Sequence, residues 1–341
     1  MSRLALLTGA SGFIAKHIAA QMLAAGWQLR ATIRNPARAD EIRAALAPRL
    51  DPEILQSKLD FVELDLTQDA NWNAALAGVD ALVHTASPFP LSQPENEDDL
   101  IRPAVDGTLR ALRAAQAAGV MRVVLTSSIA AIMHCDLPAG RHTYDARDWT
   151  DPAHPRATAY DRSKTMAERA AWDFVAQQAP EMALTTINPG FVLGPLLDDR
   201  IGSSVSLVAR FLSGKDPMQP DFGLPMVDVR DVARMHLQAL ERPATAGKRY
   251  IASGGTMTFA EMAAHLKHHF PQRRIATRTA PNLMMRIAAL WDSEVRSILP
   301  SLGFAPQLCA QPAEGDMDIR FTPPADALLA TAQDLIHRKL V

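Results

Sequence analysis

The chain has 341 residues, 48% hydrophobic and 21% charged, enough for a large core and typical of an ordinary globular protein. A formal net charge of −2 argues against a nucleic-acid partner, and Cys135 and Cys309, far apart and without C-x-x-C spacing, give no pattern of a disulfide framework or cysteine zinc site. With no signal-peptide pattern ahead of Gly9 and no apolar run near the ~20 residues that span a bilayer, the expectation is a soluble, cytoplasmic protein with reduced thiols and no membrane partner.

The first half alternates strand-like and helix-like segments. A short apolar run at 4–7 ends in glycine, and helical spacing of apolar residues follows from 13 to 25, stopped by Gly26. Strands are predicted at 28–33, 59–64, 81–84, 122–126 and 183–188, and helices from Pro36, at 69–76, at 97–118 and at 157–178. Such alternation predicts a parallel sheet with helices on both faces, wound in both directions by right-handed crossovers. Residues 190–225 are rich in Gly, Pro, Asp and Ser around one helical stretch at 205–212. Strand then helix returns at 227–240, and helices are predicted at 259–270, 282–290 and 326–338.

The first strand–helix junction, "TGASGFIAKH", has the pattern G-x-x-G-x-x-A through Gly9, Gly12 and Ala15. Glycines let the chain turn sharply and let a ligand approach the backbone, and the helix start offers N–H groups to a phosphate. The pattern alone leaves a bare turn open as an alternative. The end of the second strand, "RATIRNPAR", carries Arg34 and Arg38 where units that bind NAD have an acidic residue. Two guanidinium forks there suit the 2′-phosphate of NADP(H).

"AYDRSKTMAE" places Tyr160 and Lys164 at i and i+4, on one helical face. An ammonium beside a phenol favours the phenolate and makes the tyrosine a usable proton donor near neutral pH. "VVLTSSIAA" ends the fifth strand with Ser127 and Ser128, hydroxyls able to hold a carbonyl oxygen.

With these stretches in order, together with "VHTASPFP", "NPGFVLGP" and "MVDVRDVARMHLQALE", the chain resembles the extended short-chain dehydrogenases/reductases. Within them it is similar to the branch of dihydroflavonol reductases, cinnamoyl-CoA reductases and microbial NADPH-dependent aldehyde, ketone and methylglyoxal reductases. The resemblance runs from residue 8 to about 241. It implies a Rossmann doubly wound parallel sheet with a smaller, mostly helical C-terminal substrate lobe. The expected division is 1–189 with 226–252 for the NADP-binding part, and 190–225 with 253–341 for the substrate lobe.

The resemblance also implies roles. Ser128 polarises the carbonyl, Tyr160 donates the proton, and Lys164 lowers the tyrosine pKa and binds the nicotinamide ribose. Gly9, Ser11, Gly12, Phe13 and Ile14 form the pyrophosphate turn, and Arg34 and Arg38 take the 2′-phosphate. Asp65 and Leu66 lie at the adenine, and Thr85, Ala86 and Ser87 run past the ribose and phosphates. Pro189, Gly190 and Val192 pack around the nicotinamide, with Ser203 or Ser204 closing over the cofactor.

Phe89, Ile129 and Met133 are the candidate pocket residues. In dihydroflavonol reductases an amide matches Met133 and reads flavonoid hydroxyls, a contact methionine does not make. The expected activity is therefore NADPH-dependent reduction of small or aryl aldehydes and ketones by a monomer or homodimer. The alternatives are a dihydroflavonol- or 3β-hydroxysteroid-type activity, an NAD-dependent nucleotide-sugar epimerase or dehydratase, and a non-enzymatic NADP sensor. No metal site is expected, because His265, His268 and His269 have no clear carboxylate or second histidine group at ligand spacing and fit a polar helix face.

Overall fold

Apolar runs flanked by glycine become buried parallel strands. The computed structural model describes residues 3–86 and 96–341. Its first half runs β1 (Leu4–Thr8), α1 (Phe13–Ala24), β2 (Gln28–Ile33), α2 (Arg38–Leu46), α3 (Pro52–Lys58), β3 (Leu59–Glu63), α4 (Trp72–Leu76), β4 (Ala81–His84), α5 (Asp98–Ala117), β5 (Arg122–Thr126), β6 (Thr143–Tyr144), α6 (Ala159–Gln178) and β7 (Ala183–Pro189). The second half runs β8 (Phe191–Leu193), α7 (Ser203–Ser213), β9 (Gly223–Asp228), α8 (Val229–Glu241), β10 (Lys248–Ala252), β11 (Gly255–Thr258), α9 (Phe259–His269), α10 (Asn282–Ala288), α11 (Ser293–Ile298), β12 (Gln307–Leu308), α12 (Gln311–Met317) and α13 (Pro324–His337).

Seven strands form one parallel sheet in the order β10-β7-β5-β4-β1-β2-β3. The chain starts at β1, winds outward through β2 and β3, then returns to β4 and continues to the other edge. The switch point between β1 and β4 opens a crevice at the carboxyl ends of the strands, where such sheets bind ligands. Strand alternation divides the core in two. Ala5, Leu7, Ala81, Val83 and Val124 face α1, α2 and α8, whereas Leu6, Leu82, Val123 and Leu125 face α4, α5 and α6.

A further core belongs to the lobe. Val205, Val208, Phe211 and Leu212 of α7 pack with Met262, Ala263 and Leu266 of α9 and with Leu328, Ala332 and Leu335 of α13.

Several features depart from the sequence-based expectation. The strand expected at 227 begins at Gly223 and pairs with β8 and β11 in a separate three-stranded sheet. The seventh strand of the main sheet is instead β10. The lobe thus contains strands as well as helices, all too short and too broken by Gly and Pro to show a period. The assignment of 253–341 to the lobe fails at α12. Ala313, Met317 and Ile319 join the core under the main sheet, and Asp316 accepts hydrogen bonds from Tyr250 (2.6 Å) and Lys248 (2.7 Å). The unexpected α3 starts at Pro52, with Asp51 accepting from the Glu53 N–H at 2.8 Å.

Candidate active site

The β1–α1 turn has the geometry of a phosphate cradle. Gly9 takes φ +70°, and its N–H donates to Thr32 Oγ1 at 3.1 Å. A Cβ on Gly9 would lie 2.9 Å from the Ala86 Cα, so β1 and β4 approach here only because the side chain is missing. Gly12 is the N-cap of α1 and carries no side chain to cover its N–H groups. Ser11 and Gly12 are exposed, while Phe13 and Ile14 are half-buried and pack on the core. Ala15 is buried against the core, where a methyl fits.

Thr8 ties the turn to the next strand end. Its Oγ1 accepts from the N–H groups of Thr85 (3.1 Å) and Ala86 (3.2 Å), and Thr85 Oγ1 donates to the Thr8 carbonyl at 2.5 Å. Ser87 and Phe89 lie outside the described residues.

At the end of β2, Arg34 is exposed, and Arg38 Nη1 donates to Glu41 Oε2 at 3.0 Å. Asp65, after β3, accepts from the N–H and hydroxyl of Thr67, both at 2.8 Å. These bonds hold its carboxyl below the ordinary range, with a smaller contribution from Arg34. The Leu66 carbonyl accepts from Arg110 at 2.7 Å, which fixes the chain beside α5.

The chemistry-bearing side chains converge between β5 and α6. Thr158 caps α6 in a reciprocal box with Asp161, which fixes the first turn and with it Tyr160. Ser128 caps the short helical turn at 129–131, its Oγ accepting from the Ala130 N–H at 3.1 Å. Ser128 is also hydrogen-bonded to Tyr160. Lys164 is buried one turn along, its Nζ 5.8 Å from the Tyr160 ring centroid.

The pKa shifts run opposite to the simple expectation of a lysine-lowered phenol. Burial pushes the Tyr160 hydroxyl up to about 12, and the Ser128 bond pulls it back only in part. Burial also pushes Lys164 down to about 8, against the attraction of Glu168.

Glu168, one further turn along α6, was not singled out from the sequence. It is buried and accepts from Ser127 Oγ (2.5 Å), Thr186 Oγ1 (3.1 Å), Asn188 Nδ2 (2.7 Å) and Arg249 Nε (2.7 Å). Asn188 Nδ2 also donates to the Ser128 carbonyl at 3.1 Å. Ser127 therefore turns into this network, while Ser128 faces Tyr160. The signal was present: residues 160, 164 and 168 share one helical face.

On the other side, Gly190 donates to the Ala252 carbonyl at 2.9 Å, and a Cβ there would meet the Pro225 carbonyl oxygen at 2.6 Å. Pro189 and Val192 are buried beside it. Ser203 and Ser204 lie in the first turn of α7, Ser203 exposed. Ile129 and Met133 join an apolar cluster with Ile132, Tyr144 and Phe304. Phe304 comes from the segment before β12, a member of the cluster that no sequence pattern marked. His265, His268 and His269 touch one another through their rings along α9. No helix among the described residues is long and apolar enough to cross a membrane.

The chain is similar to known reductases over most of its length. The rice (Oryza sativa subsp. japonica) cinnamoyl-CoA reductase 1 is 34% identical over 272 residues, 79% of this chain and 77% of that protein. A putative NADPH-dependent methylglyoxal reductase of Candida albicans is 31% identical over 285 residues, 78% of this chain and 82% of that protein. The crystal structure of a yeast methylglyoxal/isovaleraldehyde reductase complexed with NADPH superposes with TM-score 0.80 at 26% identity, covering 99% of this chain and 100% of that one. The model of the NAD dependent epimerase/dehydratase family matches residues 5–252, and the chain belongs to that family.

Proposed function

We propose that the protein is an NADPH-dependent carbonyl reductase acting on small or aryl aldehydes and ketones. The observation that carries this reading is the Ser128–Tyr160–Lys164 grouping, at strand ends next to a glycine turn that a Cβ would fill. NADPH-dependent reduction in relatives over most of the chain supports it.

Gly9, Ser11 and Gly12 hold the pyrophosphate at the start of α1, and Arg34 and Arg38 take the 2′-phosphate. Asp65 and Leu66 border the adenine, and Thr85 and Ala86 line the ribose side. Pro189, Gly190 and Val192 form the nicotinamide wall, with Ser203 or Ser204 at its rim. When bound, NADPH supplies the hydride. The chain's own groups manage the oxygen: Ser128 and Tyr160 hydroxyls bind the carbonyl oxygen, and Tyr160 gives it a proton as negative charge grows there. The positive charge of Lys164 favours the phenolate that remains. Ile129 and Met133, with Phe304, make the substrate wall apolar.

The test is an absorbance assay with NADPH and NADH against aldehydes, diketones, aryl ketones and dihydroflavonols. The expected result is NADPH oxidation with aldehydes or ketones. Preference for NADH throughout overturns the roles of Arg34 and Arg38, and turnover of dihydroflavonols alone overturns the apolar-pocket reading.

A further inference from the structure

Glu41, in the first turn of α2, is gripped from two sides. Its Oε2 accepts from Arg38 Nη1 at 3.0 Å and from Arg200 Nη2 at 2.6 Å. Arg38 is the first residue of α2, just beyond β2, whereas Arg200 comes from the loop between β8 and α7, on the substrate side. One carboxylate oxygen shared by two guanidinium groups brings both within reach of a single small anion.

That loop is fastened along the phosphate-facing end of α1. Lys16 pairs with Asp198, the His17 ring bonds the Pro195 carbonyl at 3.0 Å, and Arg338 of the C-terminal segment donates to Asp199 at 2.8 Å. The position of Arg200 beside α2 is therefore set by several anchors, not by the Glu41 contact alone.

Resting on the NADPH reading, we propose that Arg200 is a further ligand of the cofactor's 2′-phosphate, and that Glu41 tunes the site by competing for Arg38 and Arg200. The side chains of Arg38, Glu41 and Arg200 are 35%, 51% and 44% exposed, so each ion pair is weak and exchangeable. A phosphate dianion presents more charge and more acceptor oxygens than the carboxylate, in a geometry that two forks match. Selection of NADPH is then linked to the loop that leads into the substrate lobe.

The experiment is calorimetric titration of the full chain with adenosine 2′,5′-bisphosphate and with adenosine 5′-monophosphate, which differ only in the 2′-phosphate. Arg200→Ala is expected to weaken the bisphosphate about tenfold and leave the monophosphate unchanged, as loss of a charge-assisted bond does. Glu41→Gln is expected to tighten the bisphosphate alone. An unchanged bisphosphate affinity in Arg200→Ala, or an equal loss for both nucleotides, overturns the role of Arg200. Weaker or unchanged bisphosphate binding in Glu41→Gln overturns the competition. If the wild-type chain binds both nucleotides equally, the NADPH reading itself fails, whatever the variants do.

Discussion

Burial acts on Tyr160 and Lys164 in opposite senses, one pushed up to about 12 and the other down to about 8. The phenol therefore keeps its proton through the neutral range, and the group that titrates nearest to it is the lysine. As pH rises through about 8, Lys164 loses the charge that favours the phenolate, so kcat/KM for carbonyl reduction is expected to fall on that limb. A pH–rate profile checks this, and a flat profile from pH 7 to roughly 9.5 contradicts it. Tyr160→Phe is expected to lower kcat by roughly 10²–10⁴-fold. Nucleotide affinity should stay nearly unchanged, which equilibrium titration reads separately from turnover. Both residues were legible from i, i+4 spacing, but the direction of the phenol's shift was not. Spacing shows which charges are near and says nothing of how much water is excluded.

At the scale of elements, two junctions concentrate the constraints. The β1–α1 turn needs Gly9 for its positive φ and for its approach to Ala86. Gly9→Ala is expected to cost about 1–2 kcal/mol from backbone conformation alone, with the contact adding to it. Urea unfolding measures the loss, and a wild-type midpoint contradicts the geometry. The second junction is Glu168, which joins α6 to the ends of β5 and β7 and to Arg249 of β10. Glu168→Ala leaves Arg249 with a buried charge, held by the Ala146 and Asp148 carbonyls and by the Trp149 ring 3.6 Å away. The expected loss is about 3 kcal/mol, the low end for a broken buried pair, because those contacts remain. Glu168→Gln should recover part of it in the same unfolding measurement. The helix face that carries Glu168 was readable, but its partners on three strands were not, since their pairing depends on strand order.

Across the whole molecule, several histidines are folded into the interior, His17, His84 and His236 among them in neutral form. Burial pushes His17, His84 and His236 down to about 4. They lie on α1, β4 and α8, with His84 bonded to Thr8 at 2.9 Å and His236 to Thr126 at 2.7 Å. Unfolded histidine titrates near 6.5, so below that pH the unfolded chain binds more protons than the native one. Their stabilising contribution is complete above about pH 6.5 and is lost as pH falls toward 4. Urea midpoints are therefore expected to be lower near pH 5 than near pH 7.5, and equal midpoints contradict the buried neutral assignment.

The sequence by itself determined the alternating first half, the parallel sheet, the Gly9/Gly12 turn, the arginines that follow the second strand and the Tyr160/Lys164 pair. These are set by local period, by glycine placement and by side chains one helical turn apart, all of which act over a few residues. Only the tertiary structure decided that 223–228 leaves the main sheet, that 248–252 completes it, and that α12 returns beneath it. It alone brought Phe304 to Tyr144, Glu168 to Asn188 and Arg200 to Glu41. Those contacts join segments from 20 to 160 residues apart, and what selects them is which apolar faces are left to bury once the sheet has formed, a property of the assembled molecule and not of any window along the chain.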